Sequence, residues 1–472
     1  MTDELWALSA TELRGHYLAG DLSPVEVTEA ILARMEQLDP ILHAFITPTP
    51  EIARERARAA EGRYRSGDTA PPLLGVPVSI KDLVWTKGVR TTSGSLLKAD
   101  FVPEADAPVV ERLRDAGTVM LGKTSVPEVG WKAETTNRLI GSTYNPWRLD
   151  RAAGGSSGGA AAAVASGIGP IAQGSDGAGS IRVPSAFCGI FGLKPTFGTV
   201  PLWPPSSTDT LSHIGPMTRT VADAAVMLEV MAGPDRRDLH SAGRVPARYS
   251  DGLGDGIDGI RIAYSPDLGY VDVDPEVAAI CADAAAELGR AGARVDEPGI
   301  AIPDSWPIVD ALWATSEAAE YPHGVGDVRD RLDPGRLAVL DAGLRMTGAE
   351  LAAATAARHT HYRLVDALLE DTDLLVTPSV PVPAFEAGLD SPNRGGRQTS
   401  YLGWTGFTYP FNLSGHPAAT VPCGLTADGL PIGLQLVGRM GDDALLLRAA
   451  AAFEELRPWR PGLDELARRL DG

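Results

Sequence analysis

The sequence predicts an α/β protein built on a large twisted sheet. Helical and strand-like patterns alternate from one end of the chain to the other, and no repeat of fixed period interrupts them. At 472 residues, 44% hydrophobic and 22% charged, the chain has ample apolar material for an extended core.

Taken in chain order, Ser9-Ala10-Thr11-Glu12 and Ser23-Pro24-Val25-Glu26 each read as a capping box. The second carries proline at the first helical position, where an N–H is not needed. Its helix sets Val27, Ile31, Met35 and Leu38 on one face and is expected to stop at Asp39-Pro40. Residues 51–65 form a charged, alanine-rich pattern expected of a surface helix. Residues 73–80 read as a strand that delivers Lys81-Asp82 at its end; Pro77 is a caution, because proline cannot donate to a ladder. Further helices are expected over 107–116, 218–231, 275–291 and 349–369, and strands over 118–121, 257–264, 293–295 and 374–378. Residues 388–398 read as a polar Pro/Gly loop. The last patterned stretches are PFNLSGHP from Pro410 and IGLQLVGR from Ile432.

The formal net charge of −19 leaves no basic face for a phosphate backbone, which argues against a nucleic-acid partner. Cys188, Cys281 and Cys423 stand far apart and in no CxxC pair. They offer neither a disulfide framework nor a zinc site and suit a reducing compartment. The N-terminal MTDELWALSATEL lacks the basic and apolar regions of a secretion signal, and no run reaches the roughly 18 apolar residues of a membrane span. A cytoplasmic protein with no membrane partner is the expectation.

Glycine is densest between Gly154 and Arg182, in GGSSGGAAAAVASGIGPIAQGSDGAGSIR. Glycine costs conformational entropy in an ordered element, so this density needs a reason. A flexible linker would not enclose the helix-forming 160–165 run. A site where backbone N–H groups approach a ligand closely, with hydroxyls projecting from tight turns, would. Ser156, Ser157, Ser175 and Ser180 supply the hydroxyls, and the small residues before Ser180 let consecutive N–H groups converge on an oxyanion.

Two pattern matches compete with this reading. Residues 117–124 fit GxxxxGK[ST], but the interior Val-Met-Leu is strand-like, a helix precedes it, and Pro127 intrudes where a helix should follow. Residues 154–158 fit the GxSxG elbow, which would make Ser156 the nucleophile and draft His416 or His359 as base. Asp150-Arg151-Ala152-Ala153, rather than an apolar strand, leads into it. A third arrangement joins Ser156, Ser180 and Lys81. A serine needs a base to take its proton, and lysine can be that base only when neutral. Burial at an apolar strand end beside Val78 and Ile80 would favour the neutral form. The competing reading of Lys81 is a surface lysine paired with Asp82.

GGSSGG, followed by SDGAGSIRVPSAFCGIFGLKPTFG, closely resembles the amidase signature family. So do GVPVSIKD, residues 121–124, GPMTRTVADAA from Gly215, PFNLSGHPA and LPIGLQLVGR, in order over about residues 5–455. The resemblance implies an α/β/α sandwich around a large mixed sheet, with 1–472 as a single amidase domain. Within it would lie a helical N-terminal segment (about 5–70), a signature core (71–235), a variable substrate-lining region (236–400) and a return to the core (401–465).

By the same resemblance, Ser180 forms an acyl-enzyme, Ser156 bridges the proton from a cis bond after Gly155, and Lys81 is the terminal base. The N–H groups of Gly177, Ala178, Gly179 and Ser180 would be oxyanion donors. Asp176 and Arg182 would pair to hold that loop, with hydrogen bonds added by Ser157 and Ser175. Many members carry Gly-Gly where this chain has Ala178-Gly179, so a slightly narrower acyl pocket is expected. The implied reaction takes a small-molecule carboxylic amide to acid plus ammonia or amine, with no metal and no cofactor. Trp203, Trp306, Trp313, Trp404 and Phe411 fall where the pocket is expected, which favours an apolar or aromatic amide. One rival is the glutaminase component of a tRNA-dependent amidotransferase, in which TDTGGS is typical where SDGAGS stands here. Another is a non-catalytic binding paralogue, which retention of Lys81, Ser156 and Ser180 opposes. A homodimer is the commonest assembly among soluble oligomers.

Overall fold

The computed structural model describes residues 4–67, 71–393 and 399–471. Both capping boxes form: Ser9 opens α1 (Ala10–Ala19) and Ser23 opens α2 (Pro24–Leu42). Helix α2 does not stop at Asp39 but runs through Pro40 to Leu42. Leu38 and Leu42 are buried on one side, and the His43 N–H closes the last turn on the Asp39 carbonyl at 2.8 Å. The charged helix α3 (Pro50–Ser66) buries Ala53, Ala57 and Ala60, so its alanines mark its inner face.

Among the described residues, fifteen strands occur in chain order. The first three are β1 (Phe45–Pro48), β2 (Pro77–Lys81) and β3 (Val119–Thr124). Two small ribbons come next, β4 (Thr136–Asn137) with β5 (Gly141–Ser142) and β6 (Tyr144–Asn145) with β7 (Arg148–Ala152). Then come β8 (Ile171–Asp176), β9 (Phe191–Lys194), β10 (His213–Thr218), β11 (Arg261–Tyr264) and β12 (Arg294–Asp296). The last are β13 (Leu374–Pro378), β14 (Ala418–Leu425) and β15 (Pro431–Gly438). Eleven of them form one mixed sheet in the order β1-β3-β2-β8-β10-β9-β14-β15-β13-β11-β12. β2 runs parallel to both β3 and β8, and β11 to both β12 and β13. The pairings from β8 across to β13 are antiparallel.

The helices between strands include α4 (Pro108–Asp115), α5 (Gly158–Ala165), α6 (Arg182–Cys188), α7 (Val221–Met231) and α8 (Pro275–Arg290). They continue with α9 (Trp306–Ala319), α10 (Pro334–Arg345), α11 (Gly348–Leu368), α12 (Tyr409–Ser414), α13 (Asp443–Leu456) and α14 (Arg460–Leu470). The stretch holding α9 and α10 carried no secondary-structure expectation from sequence. The helix expected over 218–231 starts later, because Thr218 ends β10 and the Thr220 side chain caps α7 by accepting from the Asp223 N–H. The strand expected over 257–264 is confined to β11. Of the loop expected at 388–398, residues 394–398 lie outside the described residues.

Pro77 is the first residue of β2, where a missing donor is tolerated. From there β2 pairs with β8, Val78 opposite Ile171 and Ile80 opposite Gln173. The carboxyl ends of these neighbouring parallel strands therefore deliver Lys81 and Ser175-Asp176 side by side, where ligands of α/β sheets commonly bind.

Candidate active site

Lys81 is fully buried at the end of β2. Its Nζ donates to Ser156 Oγ at 2.8 Å and to the Ser175 carbonyl at 3.1 Å. Burial pushes its pKa down to about 7, while the Asp176 charge acts in the opposite sense. Asp82 is not its partner: that carboxylate accepts from the Thr92 N–H at 3.0 Å and faces the ammonium of Lys123. Lys123 lies inside β3, so GxxxxGKT is a strand; its Nζ donates to the Val84 carbonyl and to the Thr86 and Thr91 hydroxyls.

Ser156 follows a cis peptide bond from Gly155. A Cβ at Gly155 would lie 2.6 Å from the Glu134 backbone, so the density of glycine here reflects close approach of two backbones. Ser157 immediately precedes α5, and that helix and β8 fold the chain back on itself. Ser157 Oγ donates to the Ser175 carbonyl at 3.2 Å and accepts from its N–H at 3.4 Å; the Ser157 N–H donates to the Ser180 carbonyl at 3.1 Å. The two Gly/Ser segments are thus stitched together. Ser175 contributes through its backbone rather than its hydroxyl.

Asp176 is buried and organises the turn before α6. Oδ1 accepts from the Gly179 N–H at 2.7 Å, and Oδ2 from the Ile181 N–H at 3.2 Å. Arg182 grips both oxygens, Nε to Oδ2 at 2.9 Å and Nη2 to Oδ1 at 3.0 Å. Burial alone would raise this carboxyl, but the Arg182 guanidinium, helped by Lys194 and Asn412, holds the group well below the usual carboxylate range. Arg182 also donates to the Thr408 carbonyl at 2.9 Å, Gln435 Oε1 at 2.8 Å and Asn412 Oδ1 at 2.6 Å. Asn412 returns a bond to Asp176 at 2.9 Å.

This turn corrects the expected donor set. The Gly179 N–H is already committed to Asp176, in a left-handed conformation of φ +130°. Among the described residues, the N–H groups of Gly177, Ala178 and Ser180 have no protein acceptor. Ala178 is not among the residues lining the cavity; it packs in an apolar cluster with Trp131, Trp313 and Trp404.

Ser156, Ser175, Gly177 and Ser180 line a cavity of about 180 Å³. Ser180 Oγ has no hydrogen-bond partner among the described residues. Of the five aromatic residues expected at the pocket, Trp203 and Trp313 line it and three do not. Trp404 stacks on Phe187 and meets Phe385 edge-on, Phe411 is buried in a separate cluster, and Trp306 packs on Tyr401 and Tyr409. Sequence reasoning missed Trp85, Glu317 and Glu320, which also line the cavity, and Asn412 and Gln435, which support Arg182. His416 stacks on Tyr362 away from the cavity lining. Among the described residues, no helix is long and apolar enough to cross a membrane.

A model of the Amidase family matches residues 26–447. The acylamidase of Rhodococcus erythropolis is 41% identical, over 97% of this chain and 98% of its own. The A component of the glutamyl-tRNA(Gln) amidotransferase of Symbiobacterium thermophilum is 37% identical, over 97% and 99%. Among solved structures, a bacterial aryl acylamidase of the amidase signature family aligns with a TM-score of 0.89 at 32% identity, covering 98% of both chains. A 6-aminohexanoate cyclic dimer hydrolase complexed with substrate aligns with a TM-score of 0.88 at 31% identity, covering 98% of this chain and 100% of that one. The chain therefore belongs to the amidase signature family and is an amidohydrolase of carbon–nitrogen bonds other than ordinary peptide bonds.

Proposed function

We propose that Ser180, Ser156 and Lys81 perform this hydrolysis through an acyl-enzyme, on an amide with an apolar or aromatic body. Ser180 Oγ attacks the carbonyl carbon while its proton passes through Ser156 to neutral Lys81. The oxyanion is received by the Gly177, Ala178 and Ser180 amides. As the carbon–nitrogen bond breaks, the proton returns through Ser156 to the leaving nitrogen, and ammonia or amine departs. Water then repeats the transfer and releases the acid. The observation that carries this reading is the 2.8 Å bond from Lys81 Nζ to Ser156 Oγ, made by a lysine whose burial favours the neutral base.

The test is labelling by a fluorophosphonate, read by mass spectrometry. A single adduct on Ser180, lost in S180A together with amide turnover, is expected; an adduct on Ser156 would reassign the nucleophile. Glutamine belongs among the substrates to be tried because several relatives are components of glutamyl-tRNA(Gln) amidotransferases. The aromatic residues Trp85, Trp203 and Trp313 around the cavity favour a larger apolar group than a glutamine side chain offers. We read residues 1–472 as one catalytic unit, cytoplasmic and homodimeric; size measurement in solution tests the assembly.

A further inference from the structure

The cavity has a second polar end that the hydrolysis does not use. Trp313, Glu317 and Glu320 recur at i, i+4 and i+7 along α9 and its cap, so they share one helix face, and all three line the cavity. Trp313 is the near end of this row: its ring edge comes within 3.0 Å of where a Cβ on Gly177 would sit, at the oxyanion loop. At about 1.5 Å rise per residue, Glu317 follows about 6 Å further along and Glu320 about 10 Å.

Carboxylates outnumber the guanidinium that holds this row. Arg336 donates to Glu317 through Nε at 2.7 Å and to Glu320 through Nη2 at 2.7 Å, and lies 3.5 Å from Glu128. One guanidinium thus serves three carboxylates. Glu128 is further engaged by the Ser95 hydroxyl and the Asp333 N–H, whereas Glu317 and Glu320 face the cavity. The Glu317 side chain is 3% exposed, and burial lifts its carboxyl to about 7 although Arg336 pulls it down. The buried indole N–H of Trp313 finds no acceptor among the described residues, and a substrate's amide oxygen, not its ammonium, could supply one. A buried carboxyl that shares one guanidinium with two others, one helical turn from an aromatic face, is a setting that an alkylammonium completes; Lys98 is the other cation of the cavity lining.

We propose that this row selects amides bearing a protonated amine a few bonds from the scissile carbonyl, with Trp313 along the intervening body and Glu317 and Glu320 taking the ammonium. The proposal rests on the assignment of Ser180 and Lys81 as the reacting groups of this cavity. An amide bearing a carboxylate at the same place would meet like charge and be rejected.

The experiment compares kcat/KM for the anilides of δ-aminovaleric acid, valeric acid and glutaric acid (the half-anilide), which place the charge on the acyl side. Acetylputrescine against N-butylacetamide places it on the leaving side. One amine-bearing compound is expected to exceed its neutral counterpart about tenfold, chiefly through KM, with the half-anilide slowest. E320Q should lower that ratio several-fold and E317Q should abolish it. E320Q is the safer variant, because its side chain is 31% exposed whereas Glu317 belongs to the buried Arg336 network. The same pairs can be ranked by protection of Ser180 from fluorophosphonate where turnover is slow. Equal values for amine and neutral partners on both sides, or a ratio that E320Q leaves unchanged, overturns the proposal. Absence of both turnover and Ser180 labelling overturns the active-site assignment beneath it.

Discussion

Lys81, Ser156 and Ser180, at the floor of the cavity, are positioned by backbone, whereas Trp203, Trp313 and the glutamates of its wall are positioned by side-chain packing. At the floor, β2 and β8 are neighbours in a parallel ladder, and their spacing of about 4.8 Å sets the distance from base to oxyanion loop. Bonds from Ser157 to Ser175 and Ser180 then tie the cis segment to that loop. At the wall, Trp203 meets Trp85 edge-on with ring centroids 5.8 Å apart and is covered by Arg237, and α9 rests on α10. The floor can therefore be changed only by disturbing the chemistry, while the wall can be changed one side chain at a time.

That contrast can be broken most sharply at Lys81. K81M should lower kcat/KM by on the order of 10⁴-fold for every amide, since it removes the base and not a substrate contact. In the unaltered enzyme kcat/KM should rise with pH through about 7, as Lys81 loses its proton. The lowered pKa means that between about 7 and the ordinary value of 10.5 the unfolded chain holds a proton the native one does not. Native stability should therefore increase with pH across that window, and K81M should melt no lower than wild type at neutral pH. A clear loss of stability on removing this lysine would place it among the structural residues.

A step smaller is R182M, which leaves the buried Asp176 without its ion pair. About 3–5 kcal/mol of stability and on the order of a hundredfold in kcat should be lost, measured by denaturant unfolding and single turnover. An unchanged kcat would show that the oxyanion turn does not need the Arg182 ion pair. On the wall, W313L should raise KM about tenfold for aryl amides and leave the pH limb near 7 in place. A displaced limb would mean that wall and floor are coupled. The smallest effect on catalysis is expected from K123M. It strands the buried Asp82 and costs about 3 kcal/mol in stability, yet Ser180 labelling should persist. Burial lowers Lys123 to about 8, so loss of the activity limb in K123M would identify that lysine as the titrating group instead.

The parts of the floor are local and chemically marked in sequence, but their roles came from the family resemblance: the residues alone left Lys81 beside Asp82 at the surface and Ser156 as a possible nucleophile. Lys81 ends a strand pattern, the paired serines sit in glycine-dense turns, and Asp176 and Arg182 are six residues apart. Their supports were half-legible: Asn412 and Gln435 stand in patterned runs, but their partner Arg182 lies 230 and 253 residues away. The wall was not legible. A large aromatic side chain announces burial without saying against what, so Trp306, Trp404 and Phe411 proved to be packing while Trp203 and Trp313 reach the cavity. Glu317 and Glu320 carry no signal at all, because two glutamates on a helix ordinarily mark a solvated face. Local rules also yielded to tertiary packing at Pro40, where burial of Leu38 and Leu42 carries α2 past its expected end.

Where α9 rests on α10, the missing Cβ of Gly343 leaves room for the main-chain carbonyl of Ala314, next to Trp313. A methyl group there would tilt α9 and shift Trp313, Glu317 and Glu320 together, although residue 343 does not line the cavity. New substrate preferences in this chain are then reachable by mutation at a distance, through a seam that contains none of Lys81, Ser156 and Ser180. A selection for altered specificity confined to cavity residues would overlook it.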